Sequence, residues 1–351
     1  MILRPVGTSW VFCTFFLLFV APALAEDSSS GNSRARLSIA NVAITVDIAP
    51  GKLTLSREHV LRWISEAARS VVHYYSRFPT SRLHILVTPV RGKGAPSGTT
   101  FGSPPRIKVA LGELADEEFL QRDWMMVHEM VHLAFPRVAQ QHHWIEEGLA
   151  TYVEPWARLG IGQLAPETIW KDLVEGLPKG LPAADDKGLD HTPTWGRTYW
   201  GGALFCLLAD IELHKRTANQ RGLRDALRGI LATGGSMQEH WPLTRAFAAG
   251  DQATGVPVLT ELYTRMKDVP VNVNLDELWQ QLGVEVCEGT VVFHDDGTGL
   301  SRGELRGGLC APRVAGHLYD AVSPPPATGV ASPTGDSTLP GPSWWLLSAQ
   351  G

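Results

Sequence analysis

Two histidines stand four residues apart, with a glutamate directly after the first, in His128-Glu129-Met130-Val131-His132. They lie in a largely apolar run, Asp123 to Phe135, that reads as helix. Side chains at i and i+4 share one helix face, with Cβ atoms about 5–6 Å apart. Two imidazoles so placed can reach one tetrahedral Zn²⁺. Glu129 points to the side of the pair, so it can work on a water at the metal without taking a coordination position. The pattern is short, and the same spacing also describes a helix whose polar face happens to carry His, Glu and His.

Two histidines leave a catalytic zinc incomplete, because such a site takes three protein ligands and one open position. The downstream candidates are His142, His143, Glu146 and Glu147. A third histidine in the spacing His-x-x-Gly-x-x-His is excluded, since Phe135 and Val138 occupy the Gly and final His positions. There is no Cys-x-x-Cys, which speaks against a cysteine zinc site. The remaining histidines, at 59, 73, 84, 191, 214, 240, 294 and 317, have no partner at metal spacing and read as ordinary structure. Asp295-Asp296-Gly297-Thr298-Gly299 looks like part of a calcium loop, but no later acid stands at the right spacing, so it reads as a turn.

The elements that must position these residues follow from periodicity. Leu37 to Ile48 alternates loosely and predicts a strand, broken by Pro50-Gly51. Ser56 opens a long helical pattern through Tyr75, and Leu83 to Val90 predicts a second strand. Gly92 to Gly102 reads as a loop or hairpin connection. Arg106 to Leu111 alternates charged and apolar residues, as an edge strand with one wet face would. Such a strand beside a metal site could hold an extended peptide by main-chain pairing. Glu113 to Phe135 predicts one motif helix ended by Pro136, and a second helix starts near Trp144. Gly176 to His191 reads as a long surface loop. Trp195 to Lys215, Leu223 to Leu231, Val258 to Met266 and Leu275 to Leu282 predict further helices, and from Val284 short strands with Gly turns follow.

Composition bounds the compartment and the partners. The 351 residues are 44% hydrophobic and 19% charged, with a formal net charge of -5 and no long basic run, which speaks against nucleic acid as a partner. Arg4, the apolar run Trp10 to Ala21 and Ala23-Leu24-Ala25 predict a signal peptide over 1–25, hence a secreted or periplasmic protein. A membrane enters only if that segment stays uncleaved. Residues 26–36 predict a flexible lead-in, 37–320 the folded domain, and 321–351 a Pro/Gly/Ser-rich disordered tail. Cys206 reads as a buried thiol. Cys287 and Cys310 flank a turn-rich segment and could pair in an oxidising compartment.

The run Glu146-Glu147-Gly148-Leu149-Ala150-Thr151-Tyr152 resembles the gluzincins, metallopeptidases of the peptidase MA clan. In that group a glutamate on the helix after the motif helix completes the zinc site, in a pattern Glu-Gly-(aromatic or aliphatic)-Ala. The resemblance implies Glu147 as third ligand beside His128 and His132, with Glu154 in a supporting role and Thr151 as a nearby hydroxyl. Tyr199-Trp200-Gly201-Gly202-Ala203 resembles a segment of M1 and M61 peptidases whose tyrosine donates a hydrogen bond to the oxyanion, which implies that role for Tyr199. A phenol suits it, being a neutral donor at pH 7. The likeness covers about residues 95 to 300 and implies an α+β, zincin-like catalytic domain, with a small N-terminal mixed sheet and a mainly helical C-terminal part. It implies a zinc-dependent peptidase acting on a peptide or protein, with Glu129 as general base. The departures are specific. Fourteen residues separate His132 from Glu147, shorter than the M1 spacing by about one helical turn. The Gly-x-Met-Glu-Asn motif that binds a free amino terminus in M1 enzymes is absent, and Gly98-Thr99-Thr100-Phe101-Gly102 stands there without an acid. Endo- and aminopeptidase modes both remain open. The competing expectation is a non-catalytic binding or structural protein stabilised by zinc on the same scaffold.

Overall fold

The computed structural model describes residues 33–294, 305–307 and 309. The expected signal peptide, the tail, the 295–299 turn and Cys310 fall outside the described residues.

Seven-residue strands β1 (Ser33–Ile39) and β2 (Val42–Ile48) form a hairpin. Ala40 and Asn41 turn it with φ of 43° and 68°, the left-handed pair that a two-residue hairpin needs. The single strand expected over 37–48 is therefore two, and ordered structure begins inside the expected lead-in. The 19-residue helix α1 (Arg57–Tyr75) starts at Ser56, whose side chain accepts from the His59 N–H. It crosses over from β2 to the parallel strand β3 (Arg82–Val90). Strand β4 (Ser97–Gly102) and strand β5 (Pro105–Gly112) pair antiparallel, and β5 lies parallel to β3.

The sheet order is β1-β2-β3-β5-β4. The edge beside the helices is thus β4, in the Gly/Thr-rich stretch expected to be a connection, while β5, expected at the edge, is interior. The sheet has two unlike faces. One carries Val42, Ile44 and Val46, Leu83, Ile85 and Val87, and Ile107, Val109 and Leu111, all buried. Val60, Ile64, Ala68 and Val71 of α1 are buried in the same core. Each such valine, leucine or isoleucine contributes about 1.5–3 kcal/mol by leaving water. Across the other face runs the register row Arg36, Thr45, His84, Arg106, Phe101.

The predicted motif helix is broken in two: α2 (Glu117–Arg122) and α3 (Met125–His132). Asp123 makes the break. Its backbone is extended, and its carboxylate accepts from the Met126 N–H at 3.2 Å and from Trp63 Nε1 at 3.0 Å. Burial pushes its carboxyl up to about 6. Helix α4 (His143–Leu159) follows after a 3₁₀ turn at Gln140–His142. Then come α5 (Pro166–Gly176), a π turn at Arg197–Gly201 that runs into α6 (Gly202–Arg216), α7 (Leu223–Ala232), α8 (Leu243–Thr254), α9 (Val258–Met266) and α10 (Leu275–Leu282). Helix α8 was not expected from the sequence. Strands β6 (Val284–Cys287) and β7 (Thr290–Phe293) pair as a hairpin.

The stretch 176–191 is not the surface loop its Gly/Pro content suggests. Leu177, Asp186, Leu189 and Asp190 are buried. Asp186 forms an ion pair with Arg197 at 2.7 Å, outside hydrogen-bond geometry, which anchors this stretch to the π turn. Cys206 is a buried free thiol and Cys287 an exposed one. Among the described residues no helix is long and apolar enough to cross a membrane.

Candidate metal centre

Helices α3 and α4 bring His128, His132 and Glu147 together. One candidate ligand atom from each lies within 4.8 Å of the others. Glu147 Oε2 is 3.2 Å from His128 Nε2 and 3.7 Å from His132 Nε2. Ligands about 2.05 Å from a tetrahedral zinc stand roughly 3.3 Å apart, so this donor set fits the metal. His128 and Glu147 are buried and His132 half-buried. The two imidazoles meet edge to face, with centroids 4.8 Å apart, and Trp124 closes on His128 from the preceding turn at 5.2 Å. Burial pushes the Glu147 carboxyl up, but His132, the hydrogen bond to His128, and His143 outweigh that and hold it at about 2.

Glu129 is buried beside this set and outside it. Its carboxylate accepts a hydrogen bond from the Thr100 hydroxyl on β4 at 2.6 Å, and the same hydroxyl lies 2.8 Å from the Glu129 carbonyl. Strand β4 passes so close that a Cβ on Gly98 would stand 2.5 Å from Glu129 Oε1. A larger residue there would force the Glu129 side chain to shift.

Tyr199 arrives from the π turn. Its ring stacks on Trp195 at 5.9 Å and on His128 at 6.4 Å. Burial pushes its phenol up, and Glu147 adds to this by charge and by a hydrogen bond, so the hydroxyl keeps its proton. The π turn can sit there because α4 and the start of α6 touch through glycines. A Cβ on Gly148 would lie 2.3 Å from the Gly202 carbonyl carbon, and one on Gly202 2.1 Å from the Trp144 oxygen.

The remaining candidates separate. His142 Nδ1 contacts Asp190 at 2.9 Å, and Asp190 also accepts from Trp144 Nε1 and the Tyr263 hydroxyl, each at 2.8 Å. That ties His142 to the protein interior. His143 stays at the site, with Nε2 3.4 Å from Glu147 Oε1 and Nδ1 3.0 Å from Glu146 Oε2. Glu146 Oε1 accepts from the Val138 N–H, bracing the turn between the helices. Glu154 is buried and paired with Arg158 at 2.9 Å. Among the described residues the buried Thr151 hydroxyl has no hydrogen-bond partner.

Sequence reasoning did not single out Thr100, Trp124 or Asp123 for the site. A threonine in a Gly/Thr-rich stretch carries no periodic signal, and its partner lies 29 positions away. The one available cue was position, since Gly98-Thr99-Thr100-Phe101-Gly102 stands where the resemblance to M1 enzymes places the amine-binding motif.

No protein-family model matches the chain, and no curated protein matches it in sequence. Among solved structures it is similar to an aminopeptidase N family protein from Idiomarina loihiensis, at 12% identity and a TM-score of 0.54, over 72% of this chain and 49% of that one. An M1 zinc metallopeptidase from Deinococcus radiodurans aligns at 12% identity and a TM-score of 0.44, over 72% of this chain and 52% of that one. The first likeness is one of fold: an α+β fold like that of the aminopeptidase N family protein, with a mixed five-stranded sheet and a helical C-terminal part. The chain spans about half the length of these structures.

Proposed function

We propose that this chain, built on an M1-like gluzincin fold, is a secreted or periplasmic zinc-dependent peptidase. The observation that carries the reading is the division of labour on two helices. His128, His132 and Glu147 converge within 4.8 Å, while Glu129, next in sequence to a ligand, is held off the set by Thr100. The export assignment rests on residues 1–25 of the sequence.

His128, His132 and Glu147 would hold the zinc. Bound there, Zn²⁺ supplies Lewis acidity, acidifying a water and polarising a peptide carbonyl. Glu129 then takes the water's proton and delivers it to the leaving amine. Tyr199 keeps its phenolic proton and donates to the oxygen on which negative charge develops. Among the described residues strand β4 is the sheet edge beside Glu129, along which an extended peptide can lie. The competing non-catalytic reading leaves Glu129 without a task, because a purely structural site needs no general base.

The test is zinc content and peptide turnover measured on the same preparations. Glu129→Gln should keep about one zinc per chain and lose at least about a hundredfold in kcat, the low end of general-base contributions. His132→Ala should lose the metal. Wild-type turnover in Glu129→Gln would end the catalytic assignment, and full zinc in His132→Ala would end the ligand assignment.

A further inference from the structure

The two faces of β4 are chemically opposite. Thr100 points to Glu129. Thr99 and Phe101 point the other way, paired across the sheet with Lys108 and Arg106 of β5. There the Arg106 guanidinium carbon lies 4.8 Å and the Lys108 ammonium 5.5 Å from the centre of the Phe101 ring. Among the described residues neither cation has an acidic partner, and Arg106 Nε is enclosed without a hydrogen-bond acceptor. No acid occurs on β4 or β5. In a chain of net charge -5, the strand edge beside the candidate centre is locally cationic.

A peptide laid along β4 alternates its side chains with period two. Every second one falls on the Phe101 side, at cross-strand distances of about 4.5–5.5 Å from its neighbour on β4. A carboxylate there meets two unneutralised cations. A lysine, or the ammonium of a free amino terminus, is repelled by them.

We propose that Arg106 and Lys108, presented over Phe101, select acidic peptides, drawing Asp or Glu side chains of a substrate strand onto this face of β4. The proposal rests on the peptidase reading above for its cleavage arm and stands apart from it for its binding arm. It also disfavours a substrate whose amino terminus ends at this point on the strand.

The experiment uses the zinc-loaded full chain and acetylated, internally quenched peptides that differ only in Glu for Gln at one position at a time. The expected result is kcat/KM about tenfold higher for Glu at positions spaced by two, the sum of two partly exposed ion pairs. The preference should shrink as salt is raised past about 0.1 M. Arg106→Gln with Lys108→Gln should remove it, and Arg106→Glu with Lys108→Glu should turn it towards Lys. Arg36→Gln, on β1 at the far side of the same face, should leave it intact; if that variant also removes the preference, a long-range field and not this subsite is responsible, and the proposal falls. Equal rates for all Glu and Gln peptides at low salt overturn it while leaving peptidase activity standing. If no peptide is cut, the peptidase reading fails. Fluorescence anisotropy with Glu129→Gln protein then decides the proposal, since tighter binding of the Glu peptides supports it and equal binding overturns it.

Discussion

At the scale of single residues, the site rests on side chains that control other side chains. Thr100 is the clearest case. A carboxylate that must take a proton from one direction needs its second oxygen held, and the 2.6 Å contact from the Thr100 hydroxyl does this from a different element. Thr100→Val removes the donor at nearly constant volume. We expect kcat to fall about tenfold, the loss of one hydrogen bond to a charged group, with zinc content unchanged and activity restored in Thr100→Ser. A valine variant with full kcat would show that Thr100 only packs. The His128–His132 pair was legible in the sequence because its geometry is local: two residues four apart on one helix face. Glu147 became legible through its Glu-Gly pattern and not through spacing, which left His142, His143 and Glu146 open. The structure separates them by their partners, and the one that decides His142 is far away in sequence. Asp190 holds His142 from 48 positions away, whereas His143 lies against Glu147 on its own helix.

At the scale of elements, the arrangement depends on two helices and one strand approaching more closely than side chains would allow. Helices α4 and α6 meet at Gly148 and Gly202, immediately after Glu147 and three residues after Tyr199. A methyl group at Gly148 would face backbone at 2.3 Å, and backbone does not give way as a flexible side chain does. Gly148→Ala is therefore expected to destabilise the fold by about 1–3 kcal/mol and to lower kcat through a displaced Tyr199. Thermal unfolding and turnover measured together check this, and an alanine variant matching wild type in both would show the contact to be loose. Helix α1 was readable because its Ser56 cap and its apolar face are encoded within it, and α4 because its apolar face is. The division of the motif helix into α2 and α3 was not, because Asp123, which ends one and accepts from the Met126 N–H at the start of the other, is held in place by Trp63, 60 positions earlier. Strand order was hidden for a similar reason. Alternation marks Arg106–Leu111 as half-wet, and it is half-wet because one face of the whole sheet is polar, not because β5 lies at the edge.

At the scale of the whole molecule, the proposed metal ligands come from both sides of a connection that the fold must hold in register. Helix α3 carries His128 and His132, α4 carries Glu147, and the turn between them is braced by Glu146 on the Val138 N–H. An ion bound at all three points ties those helices together and stabilises the folded chain by mass action, by about 2.7 kcal/mol when free zinc is a hundredfold above its dissociation constant. At about 2–4 °C per kcal/mol for a domain of this size, the melting temperature should rise by about 5–10 °C on adding zinc to chelator-treated protein. His132→Ala should show no such rise. Glu129→Gln should show it in full, because that side chain stands outside the ligand set, and this separates the ion's role in stability from its role in turnover. If zinc leaves the wild-type melting temperature unchanged while metal analysis finds it bound, the unfolded chain must hold the ion as tightly as the folded one, and the three residues would not form a site that the fold creates.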